Sequence, residues 1–236
     1  RWDKNGKLSP IRHPINNYRV YHLDQLRTFE ELGFLFQKRQ DKNESPMRDY
    51  SVIELFAGAG GLALGLERSG FKSLLLNEID KNACATLRKN RPDWNVVDGS
   101  ITEVCFKKFK NKVDLLTGGF PCQAFSYAGK KLGLNDARGT LFYEFARVVQ
   151  EVQPAICIGE NVRGLLTHDN GRTLSTMINV LTDLGYTVLE PKIMKAIFYR
   201  VPQKRERLFI VGVRNDLIDH IKFKWPEKFH KVLTVK

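Results

Sequence analysis

Short apolar runs alternate with helical stretches from residue 51 onward. Runs of consecutive apolar residues predict buried strands, and apolar residues spaced three or four apart predict helices. The predicted strands are 51–56, 72–77, 96–97, 113–119 and 154–160, followed by two β-rich segments at 187–196 and 207–213. The predicted helices are 62–70, 81–90, 141–152 and 172–184. Strands that alternate with helices predict an α/β fold with a mostly parallel sheet and helices on both faces.

The first 49 residues follow a different pattern. Residues 1–22 are polar and irregular, whereas apolar residues at helical spacing predict one amphipathic helix over 23–39. A polar segment, 40–49, has the composition of a linker. We therefore expect an N-terminal extension, 1–49, ahead of one main domain, 50–236.

The composition is that of a globular protein with a polyanionic partner. Of 236 residues, 42% are hydrophobic, which is enough to form a core. Lys and Arg number 38 against 26 Asp and Glu, and residues 192–236 alone hold 12 against 4. Such an excess favours nucleic acid as the partner. The four cysteines form no CxxC pair, which argues against zinc and favours a reducing compartment.

A glycine-rich loop follows the first predicted strand of the main domain. Gly58, Gly60 and Ala63 fit the pattern G-x-G-x-x-A, and Glu78 ends the next strand. Glycines let the backbone approach a ligand closely, and the carboxylate can bind the hydroxyls of a ribose. The loop indicates a cofactor that contains adenosine, and on this pattern alone NAD and S-adenosylmethionine are both possible.

A second loop carries a cysteine in an unusual setting. Cys122 lies in GGFPCQAFS, residues 118–126, where no apolar face is being built. A thiol in such a loop is available as a nucleophile. The other cysteines, Cys84, Cys105 and Cys157, are predicted to be small core residues.

A glutamate and two arginines complete the candidate chemistry. Glu160 ends the strand 154–160 and is predicted to face the cleft. Arg205 and Arg207 are two residues apart, so on a strand their side chains share one face. Two guanidinium groups directed at one place suit a phosphate or a carboxylate. A solvated acid and a solvated strand start are the alternatives.

Four segments together resemble the cytosine-C5 DNA methyltransferases. FAGAGG, GGFPCQAFS, ENV and QKRER occur in the order of that family, over about residues 50–214. The resemblance implies a Rossmann-like S-adenosylmethionine-dependent methyltransferase fold, with S-adenosyl-L-methionine as cofactor, double-stranded DNA as substrate and no metal. It also implies a DNA (cytosine-5-)-methyltransferase of a restriction-modification system, in the bacterial cytoplasm and associated with the nucleoid.

The same resemblance assigns roles to individual residues. It implies that Cys122 attacks carbon 6 of cytosine and that Glu160 protonates or hydrogen-bonds N3. Arg207 would hold the base and the glutamate, and Arg205 would support the nucleophile side. The implied cofactor-binding residues are Phe56, Ala57, Gly58, Gly60, Gly61, Glu78, Ile79, Ser100, Ile101, Pro121 and Leu141.

Two departures from the family pattern leave alternatives open. Ser100 occupies the place where the family usually has an aspartate that binds adenine. The sequence also stops at Lys236, so we expect a target-recognition domain on a second chain or on a missing C-terminal segment. An RNA cytosine-C5 methyltransferase, a catalytically silent regulatory subunit and an NAD oxidoreductase are the competing interpretations.

Overall fold

A computed structural model describes residues 9–12, 14, 19–29, 48–121 and 141–229. These residues belong to two compact units, of which the first includes 9–29 and the second 48–229.

In the described part of the first unit, two short antiparallel strands precede a five-residue helix. The elements are β1 (Ile11–Arg12), β2 (Arg19–Val20) and α1 (Leu23–Arg27). The helix begins at the first residue of the predicted helix, 23–39, and ends at Arg27, with Thr28 as its C-cap. The rest of that prediction, from residue 30, and most of the predicted linker lie outside the described residues. The division into 1–49 and 50–236 stays a prediction.

The second unit is built on one mixed sheet. Its strands are β3 (Tyr50–Leu55), β4 (Phe71–Glu78), β5 (Val96–Asp98), β6 (Leu115–Gly118), β7 (Ile156–Val162), β8 (Tyr186–Val188), β9 (Lys192–Lys195) and β10 (Glu206–Arg214). Its α-helices are α2 (Gly61–Arg68), α3 (Lys81–Asn90), α4 (Leu141–Val152) and α5 (Arg172–Asp183). Short 3-10 helices cover Ile101–Glu103, Lys107–Phe109, Arg163–Leu166, His168–Gly171, Ala196–Tyr199 and Asn215–Leu217.

The strand order is β5-β4-β3-β6-β7-β10-β8, with β9 paired to β10. Strands β3 to β7 are parallel to one another. Strand β10 is antiparallel to β7, β8 and β9. The predicted mostly parallel sheet is therefore confirmed, and helices α3 and α4 have the predicted bounds. The β-rich segment 187–196 forms two strands rather than one, because residues 189–191 separate β8 from β9.

Helices cover both faces of this sheet, as predicted. Alternate residues of a strand face opposite sides. Ile53 and Leu55 belong to the larger core cluster, which contains the apolar faces of α4 and α5. Leu76 belongs to a smaller cluster on the other face, with Ala63 of α2 and Leu87 of α3.

The strand ends that carry the candidate site residues lie at one edge of the sheet. The carboxyl ends of β3 to β7 share this edge, and the amino end of the antiparallel β10 reaches the same edge. The chain order reverses between β3 and β6. In open α/β sheets, ligands bind beyond the carboxyl ends of the strands at such a switch point.

An acid is buried in the middle of β3. Glu54 is 4% exposed and lies opposite Leu76 on one side and Thr117 on the other. Its Oε2 atom has no hydrogen-bond partner among the described residues. Burial raises the pKa of Glu54 from 4.5 to about 8, because desolvation disfavours the carboxylate.

This raised pKa predicts a pH dependence of stability. Between pH 5 and pH 8 the folded protein binds more protons at Glu54 than the unfolded chain does, so the free energy of unfolding falls as pH rises. We expect a fall of roughly 2–4 kcal/mol from a shift of this size. Glu54→Gln removes the titrating group and should flatten this part of the profile, measured by urea unfolding at each pH. An equally steep profile in the variant would contradict the burial of a neutral Glu54.

Candidate active site

The glycine loop connects β3 to α2 through a strained turn. Phe56 has a φ of 57°, a left-handed conformation that is unfavourable for an aromatic residue and occurs mainly where function or packing requires it. The amide of Ala57 donates to the carbonyl oxygen of Asn77 at 3.1 Å, and the amide of Gly60 donates to Ala57 at 3.0 Å. These bonds fix the loop directly above the ends of β3 and β4.

The glycines of this loop have different structural roles. A β-carbon at Gly60 would lie 2.6 Å from Leu87 and 3.2 Å from Trp94, so Gly60 is required for packing of α2. A β-carbon at Gly58 or Gly61 would meet nothing within 4 Å. Gly58 and Gly61 therefore leave open space over the loop, into which a ligand can approach the backbone.

Glu78 ends β4 with its carboxylate held by three backbone amides. Oε2 accepts from Gly58 at 2.7 Å, and Oε1 accepts from Ile79 and Asp80 at 2.8 Å each. The residue is 9% exposed, so it is not a solvated strand-end acid. Because each carboxylate oxygen has two lone pairs, Oε2 keeps one acceptor position for a further donor.

The remaining predicted cofactor residues with described positions have different environments. Ile79 is 67% exposed, which is unusual for a large apolar side chain next to a buried acid. Ser100 caps the short helix 101–103 by accepting from the amide of Thr102, and its hydroxyl is 2.8 Å from that of Thr102. Ile101 is buried in the main core. Leu141 begins α4 and packs against the same core.

The loop after β6 starts close to the end of β7. A β-carbon on Gly119 would lie 3.4 Å from Oε2 of Glu160. Asn161 donates from its amide to the carbonyl oxygen of Phe120 at 2.9 Å, and Pro121, the last described residue here, is exposed. Cys122 lies outside the described residues, so its predicted role as nucleophile stays a prediction.

Glu160 is bound to both predicted arginines. Its Oε1 atom is 2.9 Å from Nε of Arg207 and 3.4 Å from Nη2 of Arg205. The register places Arg207 opposite Val162 on the antiparallel strand, so both arginines and Glu160 share one face of the sheet. The arrangement leaves Oε2 of Glu160 directed at the loop that begins at Gly119.

The opposite face of β10 carries a second ion cluster. Glu206 accepts from Lys195 of β9 at 2.6 Å and from Arg163, just beyond β7, at 2.9 Å. Lys195, and then Arg163, hold the pKa of Glu206 below its usual range. Next to Arg207, this cluster links β10 to β9 and to the residue that follows β7.

Some features were missed or wrong in the sequence-based interpretation. Cys84 and Cys157 are buried as predicted, but Cys105 is exposed and lies between the short 3-10 helices 101–103 and 107–109. Asn77 and Asn161, both 2% exposed, contact the two functional loops and were not predicted. The available signal was a polar residue at the end of an apolar strand.

A cavity of about 440 Å³ lies at the opposite edge of the sheet, near the strand beginnings. Two of its charged groups form an ion pair: Arg48 binds Asp114, which also accepts from the amide of Ser51 at 2.8 Å. We assign it a structural role. Within the described ranges, no group of three metal-ligating side chains occurs, and no helix has the length and apolar character needed to cross a membrane.

The fold and the site define a class. The strand order, the glycine loop and the acid at the end of β4 are those of the Rossmann-like S-adenosylmethionine-dependent methyltransferase fold. A solved prophage-encoded protein of Escherichia coli, described as a DNA modification methyltransferase, superposes with a TM-score of 0.64 at 30% identity, covering 79% of this chain and 53% of its own.

The chain belongs to the C-5 cytosine-specific DNA methylase family, whose model matches residues 50–236. It is 60% identical to the Type II methyltransferase M.Eco47II of Escherichia coli, over all of this chain and 57% of that protein. It is 57% identical to M.PspPI of a Psychrobacter strain, over 99% of this chain and 57% of that protein. The chain therefore spans little more than half the length of these relatives.

Substitution by alanine should have different effects at Gly60, which packs closely against Leu87, and at Gly61, which borders open space. Gly60→Ala introduces a β-carbon that collides with Leu87 at a φ of 84°, so the free energy of unfolding should fall by about 2 kcal/mol. Gly61→Ala is the matched control, because the added atom has open space, and should stay within about 0.5 kcal/mol of wild type. Equal destabilisation of both variants in urea unfolding would show that packing does not distinguish them.

Proposed function

We propose that this chain supplies the catalytic and cofactor-binding part of a DNA (cytosine-5-)-methyltransferase of a restriction-modification system. The observation that supports this most strongly is the Glu160 carboxylate, which is bound to Arg207 and Arg205 and directed at the loop that leads to Cys122. The relatives named above are Type II methyltransferases, which agrees with the proposal.

The residues around the glycine loop fit S-adenosylmethionine. Gly58 and Gly61 leave room for close approach to the backbone, and Glu78 keeps an acceptor position for a ribose hydroxyl. Ile79 presents an apolar surface for the purine. Phe56, Ala57, Pro121 and Leu141 would border the bound molecule, and Ile101 would act through its backbone. When bound, S-adenosylmethionine supplies an electrophilic methyl group.

The protein must make carbon 5 of cytosine nucleophilic. The thiolate of Cys122 would add to carbon 6, which moves electron density to N3. Glu160 would donate a proton or a hydrogen bond to N3, and Arg207 would keep the carboxyl group oriented toward the ring. After methylation, water would take the proton from carbon 5, the bond between carbon 6 and sulfur would break to release the Cys122 thiolate, and N3 would return its proton to Glu160, which restores the aromatic base. The cytosine must first leave the base stack, at a cost of a few kcal/mol.

Double-stranded DNA is the proposed substrate. Lys204, Lys222 and Lys224 are exposed in the C-terminal part of the described chain, where the positive charge is concentrated. Contacts of such lysines with phosphates make binding strongly salt-dependent and independent of sequence. Because the chain spans 57% of its relatives, we propose that target recognition rests with the remaining length, on this polypeptide or on a second one.

Covalent trapping tests the proposed function. DNA containing 5-fluorocytosine should form a covalent complex with the wild-type chain in the presence of S-adenosylmethionine, because fluorine cannot leave carbon 5 as a proton does. Cys122→Ser should form none. Each protein is assayed in two forms: alone, and fused to the part of the M.Eco47II sequence that this chain does not match.

The controls distinguish the competing interpretations. Cys105→Ser removes an exposed thiol outside the proposed site and should trap normally. RNA substrate trapped in preference to DNA would support the RNA-modifying branch. If the wild-type protein forms no covalent complex, either alone or fused, the chain is a catalytically silent subunit. If Cys122→Ser is trapped as strongly as wild type, Cys122 is not the nucleophile.

A further inference from the structure

A buried asparagine joins the two loops of the proposed cofactor site. Asn77 is the next-to-last residue of β4, directly before Glu78, and is 2% exposed. Its main-chain carbonyl accepts from Ala57 in the glycine loop at 3.1 Å. Its side-chain amide donates to the carbonyl oxygens of Val97 and Gly99, at 3.2 and 3.1 Å. One residue therefore contacts the glycine loop and the turn after β5, and both amide hydrogens are used.

Arg147 of α4 also binds the segment that follows β5. This residue of α4 donates from Nη2 to the carbonyl oxygen of Ile101 at 2.8 Å, and from Nη1 to that of Val104 at 3.4 Å. Glu144 and Glu151 orient the guanidinium, at 2.8 and 2.9 Å. The segment from Gly99 to Val104 is thus bound by side chains of two different elements.

The turn is also held by its own short helix, in which the amide of Glu103 donates to the carbonyl oxygen of Ser100 at 3.1 Å, and by the buried side chain of Ile101. Strand β5 contains three residues and lies at the edge of the sheet, so it has a backbone partner on one side only. Gly99 has a φ of 135°, where residues with a β-carbon are strained. The bond from its amide to the carbonyl of Glu78, at 2.9 Å, is the last one between these strands. The side-chain donors Asn77 and Arg147 add hydrogen bonds that connect the carbonyl oxygens of this turn to β4 and α4.

We infer that Asn77 and Arg147 are positioning residues that hold the Ser100 turn against the purine of the cofactor. The inference rests on the proposed function. A neutral hydroxyl lacks the charge of a carboxylate, so its bond to an amino group depends more strongly on correct placement. Asn77 fixes this placement relative to the glycine loop, and Arg147 fixes it relative to α4.

Selective loss of purine recognition tests the inference. Calorimetry compares S-adenosylhomocysteine with its analogue that has hydrogen in place of the purine amino group. Wild type should prefer the amino compound by about tenfold, the value of one hydrogen bond. In Asn77→Ala and in Arg147→Lys this preference should fall below about threefold, while affinity for the analogue changes little. Arg147→Lys keeps the charge between Glu144 and Glu151 but loses the two-pronged contact with the turn.

A matched control separates positioning from stability. Asn95→Ala removes the same kind of bond, from Asn95 to the carbonyl of Leu74 at 3.0 Å, at the opposite end of β5 from the turn, and should keep the full preference. If Asn77→Ala does not fold, the purine preference of Arg147→Lys is the test of the inference. An unchanged preference in a folded variant with a lower melting temperature would overturn the inference. Failure of wild type to bind either compound would overturn the cofactor assignment, and this inference with it.

Discussion

The parallel alignment of β3 to β7 is the constraint on which the site depends. It brings five carboxyl ends to one edge, where the loops after β3, β4, β5 and β6 can face one another. Backbone hydrogen bonds, such as that from Ala57 to Asn77, fix part of these loops. Buried polar side chains add further bonds: Glu78 binds the glycine loop, and Asn161 binds the loop after β6. Each lies within two residues of the end of a buried strand, where its backbone is rigid.

The antiparallel strand β10 adds the second half of the site. Its reversed direction brings its amino end to the edge where the parallel strands end, so arginines early in the strand meet an acid late in β7. Arg207 and Glu160 make this contact on one face, and Glu206 binds Arg163 and Lys195 on the other. The two ion clusters hold β10 in one register with respect to its neighbours.

Much of the fold and of the candidate site follows from local sequence patterns. The strands and helices alternate as predicted, and the glycine loop and the ENV and QKRER segments lie at the carboxyl edge of the sheet. Residues whose importance arises from tertiary contacts could not be predicted in this way. Asn77 and Arg147 act on carbonyl oxygens 20 to 46 residues away, and Glu54 is unusual only because its surroundings are apolar.

Hydrogen exchange in the presence of S-adenosylhomocysteine tests the central claim most directly, because each amide reports on its own environment. The account predicts slower exchange at three separated segments together: residues 56–61, 78–80 and 99–103. All three belong to the carboxyl edge of the sheet. Protection confined to residues 48–51 and 111–114, which line the cavity at the opposite edge, would contradict the account. Protection of the glycine loop without the segment 99–103 would contradict the placement of the purine.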